Sequence, residues 1–265
     1  MKARKKGVFA MKKTRKKYYS ALLLAFVFIF VNPLALRADG AQSWYCKREK
    51  DHCRPSAEPN MSYIEEENGF FIGHDPNEKV IYLTFDAGYE NGNIARILDT
   101  LKAHHAEGAF FILENLIRRN PELVERMKNE GHLVCNHTAR HKDMTQATKN
   151  EFVAELQSLE ALVKENTGYE MAKFYRPPRG EYNEQNLAWA QEMGYATVFW
   201  SLAYADWDNS KQAAAEKASH LLCQRMHPGA IVLLHPTSKT NAVILKSLID
   251  TWRAEGYTFA SINEL

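Results

Sequence analysis

From Val80 onward the hydrophobic pattern switches period in a regular way. VIYLTFD is a continuous apolar run that ends on an acid, and it predicts a buried strand. Asn93 is placed to cap a helix, and the following IARILDTLKAHH has apolar residues at 94, 97, 98 and 101, the spacing of one helical face. GAFFIL (108–113) is strand-like, and Pro121 opens the helix PELVERMKNE, which stops at Gly131. HLVCNH, the short extended FYRP, YATVFWSL and AIVLLH predict further strands, and YTFAS closes the series. Helices are predicted between them over 149–166, 183–193, 211–226 and 241–254, with Gly168 and Gly194 just past two of the ends.

About seven strand–helix units in strict alternation imply an α/β fold with a parallel sheet, as an open doubly wound sheet or a small barrel. No G-x-G-x-x-G follows the first strand and no G-x-x-x-x-G-K-S/T occurs, so the fold has no phosphate cradle. Parallel α/β folds gather their chemistry at the carboxyl ends of strands. Asp86, His137, Arg176, Asp206 and His235 all fall at or just after such an end.

The first 78 residues have a different character. KARKK and KKTRKK fall within the first seventeen residues, and the apolar YYSALLLAFVFIFV (18–31) and the small-residue LALRADGA follow. This is the pattern of a secretory signal, with an uncleaved membrane anchor as the alternative for residues 1–38. Export follows from either. Residues 39–78 are polar and irregular, with Pro55, Pro59 and Pro76 among a few aromatic anchors (Trp44, Tyr45, Phe70, Phe71), and predict an arm packed on the main domain.

Composition is that of an ordinary globular protein, 45% hydrophobic and 25% charged, with a net charge of only +2. The basic run has an addressing role and no basic stripe with interleaved aromatics follows it, which argues against a nucleic-acid partner. Of the four cysteines, Cys46 and Cys53 lie close enough in the arm to pair in an oxidising compartment. Cys135 and Cys223 fit buried, small hydrophobic positions, and no C-x-x-C is present.

Each polar cluster has an ordinary reading and a chemical one. His137 and His141 form H-x-x-x-H at a strand end, where a loop must bring the rings together; neutral imidazole is a common ligand of zinc and similar divalent ions. His52, His74, His104, His105, His220 and His227 sit in polar or helix-end settings and are expected at the surface. Asp86 is either a turn residue or a carboxylate that takes a proton from water beside a metal. Arg176-Pro177-Pro178-Arg179-Gly180 is either a strand exit or a rigid arm holding an arginine and a peptide N–H toward a reacting oxygen. Asp206-Trp207 offers an acid and an indole suited to a sugar face. His235 is an edge histidine or a general acid. Five such clusters on five strand ends exceed what turns produce by chance.

TFDAGYENG, HTARH, RPPRG, DW and LLH, in this order, resemble the five motifs of the polysaccharide deacetylase (NodB-homology) family, from about Lys79 to Leu265. The fuller forms NHT..H..DM, RPPRGEY and WSLAYADWD are similar to the spore-cortex branch that removes acetyl from peptidoglycan muramic acid on the way to a delta-lactam. The resemblance implies a distorted (β/α) barrel with fewer than eight repeats, over 79–265, acting on a peptidoglycan glycan strand. It implies Asp86 as the base, His137 and His141 as metal ligands, and Arg176 holding Asp86. It also implies the Arg179 backbone N–H at the oxyanion, Trp207, Leu233 and Tyr182 on the substrate side, His235 as the acid, and Asp206 orienting His235. Two departures stand out. Ala87 occupies the slot where most relatives have a third, carboxylate ligand. Arg179 replaces a common aromatic, and its guanidinium suits the lactyl carboxylate of muramic acid. The alternatives are a deacetylase of N-acetylglucosamine in peptidoglycan or chitin-like oligomers, and a glycan-binding relative without activity.

Overall fold

A computed structural model describes residues 40–45, 47, 49–56 and 63–265. The apolar stretch 18–31 and Cys46, and with them the expectations of a signal or anchor and of a Cys46–Cys53 pair, lie outside the described residues. Among those residues no helix is long and apolar enough to cross a membrane.

The alternating run folds into strands β3 (Val80–Ala87), β4 (Gly108–Ile112), β5 (Leu133–Asn136), β6 (Phe174–Tyr175), β8 (Ala196–Val198), β9 (Ala230–Leu234) and β10 (Thr258–Phe259). Their helices are α2 (Ile94–Ala103), α4 (Pro121–Asn129), α5 (Lys149–Thr167), α6 (Glu184–Glu192), α7 (Ala215–Arg225) and α8 (Lys239–Ala254). Every ladder of the main sheet is parallel, in the order β9, β3, β4, β5, β6, β8, with β10 paired to the start of β3. The sheet curls, and its far sides meet only through single bridges, Leu202 with Val232 and Ile72 with Ala230. The fold is therefore the expected distorted (β/α) barrel.

Alternation along β3 sorts its two faces. Ile81, Leu83 and Phe85 join the cluster shared with the helices, while Val80 and Tyr82 join the cluster inside the curl. Thr84 and Asp86 fall on the inner face by the same period, which aims the acid at the mouth of the barrel.

Several local details differ from the sequence reading. Asn93 makes no side-chain cap to α2; a Glu90 carboxylate oxygen accepts the Ile94 N–H instead, and the Asn93 amide donates to the Thr237 carbonyl. Four side chains of α2 (Ile94, Ile97, Leu98, Leu101) are wholly buried. At about 1.5–3 kcal/mol each, they outweigh a lost cap of about 1 kcal/mol. A short helix α3 (Glu114–Arg119) occupies ENLIRR, where none was expected. β8 ends at Val198, where the Phe199 N–H makes the last bond to β2 at the Phe70 carbonyl and the Ser201 and Leu202 N–H groups turn to the Ile231 carbonyl. α7 begins at Ala215, later than expected, and α8 at Lys239, earlier, where Ser238 caps it by accepting the Asn241 N–H. Cys135 is buried as expected, but Cys223 is only half-buried.

The arm is more ordered than its composition suggests. Gln42–Ser43 forms β1, Tyr63–Glu66 the short helix α1, and Gly69–Phe70 forms β2, which adds to β8 in parallel and extends the main sheet. β1 pairs antiparallel with β7 (Glu181–Tyr182), just past the RPPRG loop.

Candidate active site

The RPPRG loop starts from Arg176, a wholly buried arginine whose three nitrogens all donate. Its Nε donates to the Val198 carbonyl at 2.8 Å, one Nη to the Phe199 carbonyl at 3.1 Å and to Thr84 Oγ1 at 2.9 Å, and the other to Asp86 Oδ1 at 2.8 Å. The guanidinium lies over the Phe111 ring, 4.1 Å from its centre. Burial raises the Asp86 carboxyl, but the Arg176 charge, the nearby His137 and His235, and the Arg176 hydrogen bond outweigh it and hold Asp86 below the usual carboxylate range. Asp86 is an anion at neutral pH.

HTARH forms a tight loop with two residues in the left-handed region, Thr138 (φ 67°) and His141 (φ 55°). Asn136 Oδ1 accepts the Thr138 N–H, and Thr138 Oγ1 accepts the His141 N–H. That turn stacks the two imidazoles edge-on, 4.9 Å between ring centres. The Arg176 carbonyl lies 2.8 Å from His137 Nδ1 and can only accept, so Nδ1 carries the proton. His137 Nε2 then presents its lone pair, 3.5 Å from Asp86 Oδ2. Burial drives His137 down to about 4 and lowers His141 as well, keeping both rings neutral.

Across the same cleft, Asp206 (1% exposed) is saturated with donors. Oδ1 takes His235 Nδ1 at 2.7 Å, while Oδ2 takes the His235 N–H at 2.8 Å and the Asn241 amide at 2.6 Å. Asn241 also donates to the His235 carbonyl and accepts from the Tyr204 hydroxyl. Burial pulls the His235 imidazole down, but the hydrogen bond and charge of Asp206 exceed it and raise it above its ordinary value. A deprotonated carboxylate and an imidazole raised above its ordinary value therefore line one cleft of about 650 Å³.

That cleft holds Asp86, His137, His141, Arg179, Trp207, Leu233 and His235 together. Trp207 is 63% exposed, with its ring 6.4 Å from His235. The Arg179 side chain pairs with Glu181 at 2.5 Å. Tyr182, by contrast, does not line the cleft: it is wholly buried beside Trp44, Tyr63 and Phe199, because β7 turns its ring under the loop. Ala87 is also wholly buried, in the helix-facing cluster, and no group of three or more His, Cys, Asp or Glu side chains among the described residues is arranged to hold a metal.

His227 corrects another expectation. It is 1% exposed rather than at the surface, because its ring bridges the Arg225 carbonyl and Ser201 Oγ where β9 meets the chain after β8. The sequence reading missed Thr84, Asn241 and Tyr204. Thr84 left a trace, as the polar residue in an apolar run on the same strand face as Asp86. Asn241 left none, since a polar residue in the first turn of a helix is ordinary.

Comparison with known proteins agrees with this geometry. The family described as polysaccharide deacetylase matches residues 73–198. The peptidoglycan-N-acetylmuramic acid deacetylase PdaA of Bacillus subtilis is 40% identical over 224 residues, 84% of this chain and 85% of PdaA. Its solved structure, titled a family 4 carbohydrate esterase, superposes with a TM-score of 0.83 over 86% of this chain and 97% of that one. A family 4 carbohydrate esterase from Bacillus anthracis gives 0.72 at 37% identity, over 86% and 97% of the two chains. A peptidoglycan-N-acetylglucosamine deacetylase of Bacillus cereus is 34% identical over 177 residues, 67% of this chain and 62% of its own. The chain belongs to the polysaccharide deacetylase family.

Proposed function

We propose that this protein is an exported N-deacetylase of peptidoglycan that removes the acetyl group from N-acetylmuramic acid, leaving an amine that can close onto the lactyl group as a delta-lactam. The carrying observation is the pairing, across one cleft, of an ionised Asp86 with a His235 that Asp206 raises above its ordinary value, in a chain 40% identical to a muramic acid deacetylase.

The residues present fit a divalent ion. Two neutral imidazoles stand edge to edge, one with its tautomer fixed through the Arg176 carbonyl, and a carboxylate lies beside them. His137 and His141 would hold the ion, and Ala87, enclosed on the helix side of β3, supplies no third ligand. Bound there, it would polarise the acetyl carbonyl and acidify water.

Asp86 takes a proton from water as the oxygen adds to the amide carbon. Arg176 keeps that carboxylate ionised and aimed, since its other donors are fixed to backbone carbonyls and Thr84. The Arg179 N–H stabilises the oxygen that gains charge. His235 protonates the departing nitrogen, oriented by Asp206. Water and amide become acetate and a free amine, so atoms and protons balance. Trp207 and Leu233 enclose the acetyl end. Arg179 selects the muramyl sugar by exchanging Glu181 for the lactyl carboxylate.

Mass spectrometry of glycan digests tests this reading. Acetate release from muramyl residues by wild type, lost in Asp86→Asn, is the expected result. No release with any divalent ion would overturn it. Release from glucosaminyl residues instead would favour the second reading, which the similarity to N-acetylglucosamine deacetylases supports.

A further inference from the structure

Arg179 sits in the left-handed region at φ 58°, ψ 8°, and Gly180 follows at φ 69°. Gly180 takes that conformation freely, but Arg179 has a Cβ that crowds the following carbonyl, so something outside the loop must hold it. The arm does so at three places. The Trp44 N–H donates to the Gly180 carbonyl at 2.7 Å, and β1 continues the pairing, with Ser43 opposite Glu181 and Gln42 opposite Tyr182. The Trp44 indole N–H donates to the Trp200 carbonyl at 2.9 Å, and its ring stacks on Phe199 at 4.6 Å. Trp44 Cβ also closes the space above Gly180: a Cβ there would lie 3.1 Å from it and 2.8 Å from the Trp200 ring.

The match to the family begins at residue 73, so this anchor comes from outside the matched region. The Arg179 side chain does not substitute for it, because its guanidinium pairs with the neighbouring Glu181. We propose that the N-terminal arm is a working part of the active site, with Trp44 as a positioning residue that holds the Arg179 peptide in its left-handed conformation at the cleft. The inference rests on the deacetylase reading for its kinetic consequence only.

The test uses the full chain. Trp44→Ala is expected to lower kcat for acetate release about tenfold with KM within about twofold, since only the oxygen that gains charge is affected. Trp44→Phe keeps the stacking ring and loses the indole N–H, and is expected to lower kcat about threefold; it serves as the readable variant should Trp44→Ala not fold. In an Arg179→Gly background, where residue 179 takes the left-handed conformation without strain, the Trp44 penalty should shrink to about twofold or less. Amide hydrogen exchange over 179–182 should speed about tenfold in Trp44→Ala. Equal losses in both backgrounds, a loss confined to KM, or unchanged exchange would overturn the proposal. Should wild type release no acetate, the deacetylase reading falls, while the exchange measurement still decides the anchor.

Discussion

At the scale of single residues, Arg176 carries the most consequence for its size. It is wholly buried and spreads four N–H bonds over Asp86, Thr84 and two carbonyls. Removing one partner of a buried pair leaves the other charge uncompensated. Arg176→Met should destabilise the fold by about 3–5 kcal/mol in chemical denaturation, and Asp86→Asn in the same chain should recover part of that loss. Asp206→Asn acts on the acid. Without the carboxylate, the hydrogen bond and charge that offset burial at His235 are lost, so its pKa falls and the protonated form is lost at lower pH. The alkaline limb of the pH–rate profile should therefore move toward acid, and kcat should drop about 10²-fold. The acid limb follows ionisation of Asp86, whose pKa is already depressed, and should stay in place; a shift of that limb instead would assign the acid wrongly. Arg179→Ala should raise KM on muramyl glycans and leave it unchanged on glucosaminyl ones.

At the scale of elements, the loops after the strands decide the site. HTARH and RPPRG each contain non-glycine residues at positive φ, held by side chains at their bases: Asn136 under one and the Trp44–Gly180 contact over the other. Gly180→Ala puts a Cβ against the Trp200 ring in a backbone region that alanine disfavours. It should cost about 1–3 kcal/mol in thermal unfolding and depress activity beyond that loss. Equal stability of the variant would show that the loop can relax. The two tips of the barrel are also tied across: Asn91 and Asn93, after β3, both donate to the Thr237 carbonyl just past His235. Asp86 and His235, the proposed base and acid, are thereby tied to each other by two side-chain amides, in addition to the shared cleft.

At the scale of the whole molecule, the curl of the sheet brings residues from opposite ends of the chain to one rim. Trp44 and His235 line a single cleft because Trp44 is bonded to Gly180 and Trp200 while β9 closes beside β3. The open ligand position belongs to this scale too, since Ala87 is enclosed on the helix side of the sheet. Ala87→Asp buries a carboxylate with no partner unless a divalent ion compensates it. The variant without metal should melt lower than wild type, while calorimetry should show tighter zinc binding and a larger metal-induced gain in melting temperature. Unchanged affinity would mean that this slot faces away from the metal.

The sequence by itself determined the strand–helix alternation and the strand-end placement of the reactive side chains. Both are properties of local period: apolar runs alternate with helical ones and five of them lead into a polar residue, a pattern that survives any tertiary arrangement of a parallel sheet. Tertiary structure decided what had no local signal. His227, in polar sequence, is buried because two strand ends close over it. Tyr182, in a motif, turns away from the cleft because β7 pairs with the arm. Asn241 enters the Asp206–His235 network from a helix that begins past the last motif. Trp44 joins the site from well over a hundred residues away, through a backbone bond, an indole bond and a ring stack. Contacts of that kind depend on where the sheet closes, and closure is set by the packing of all the strands together.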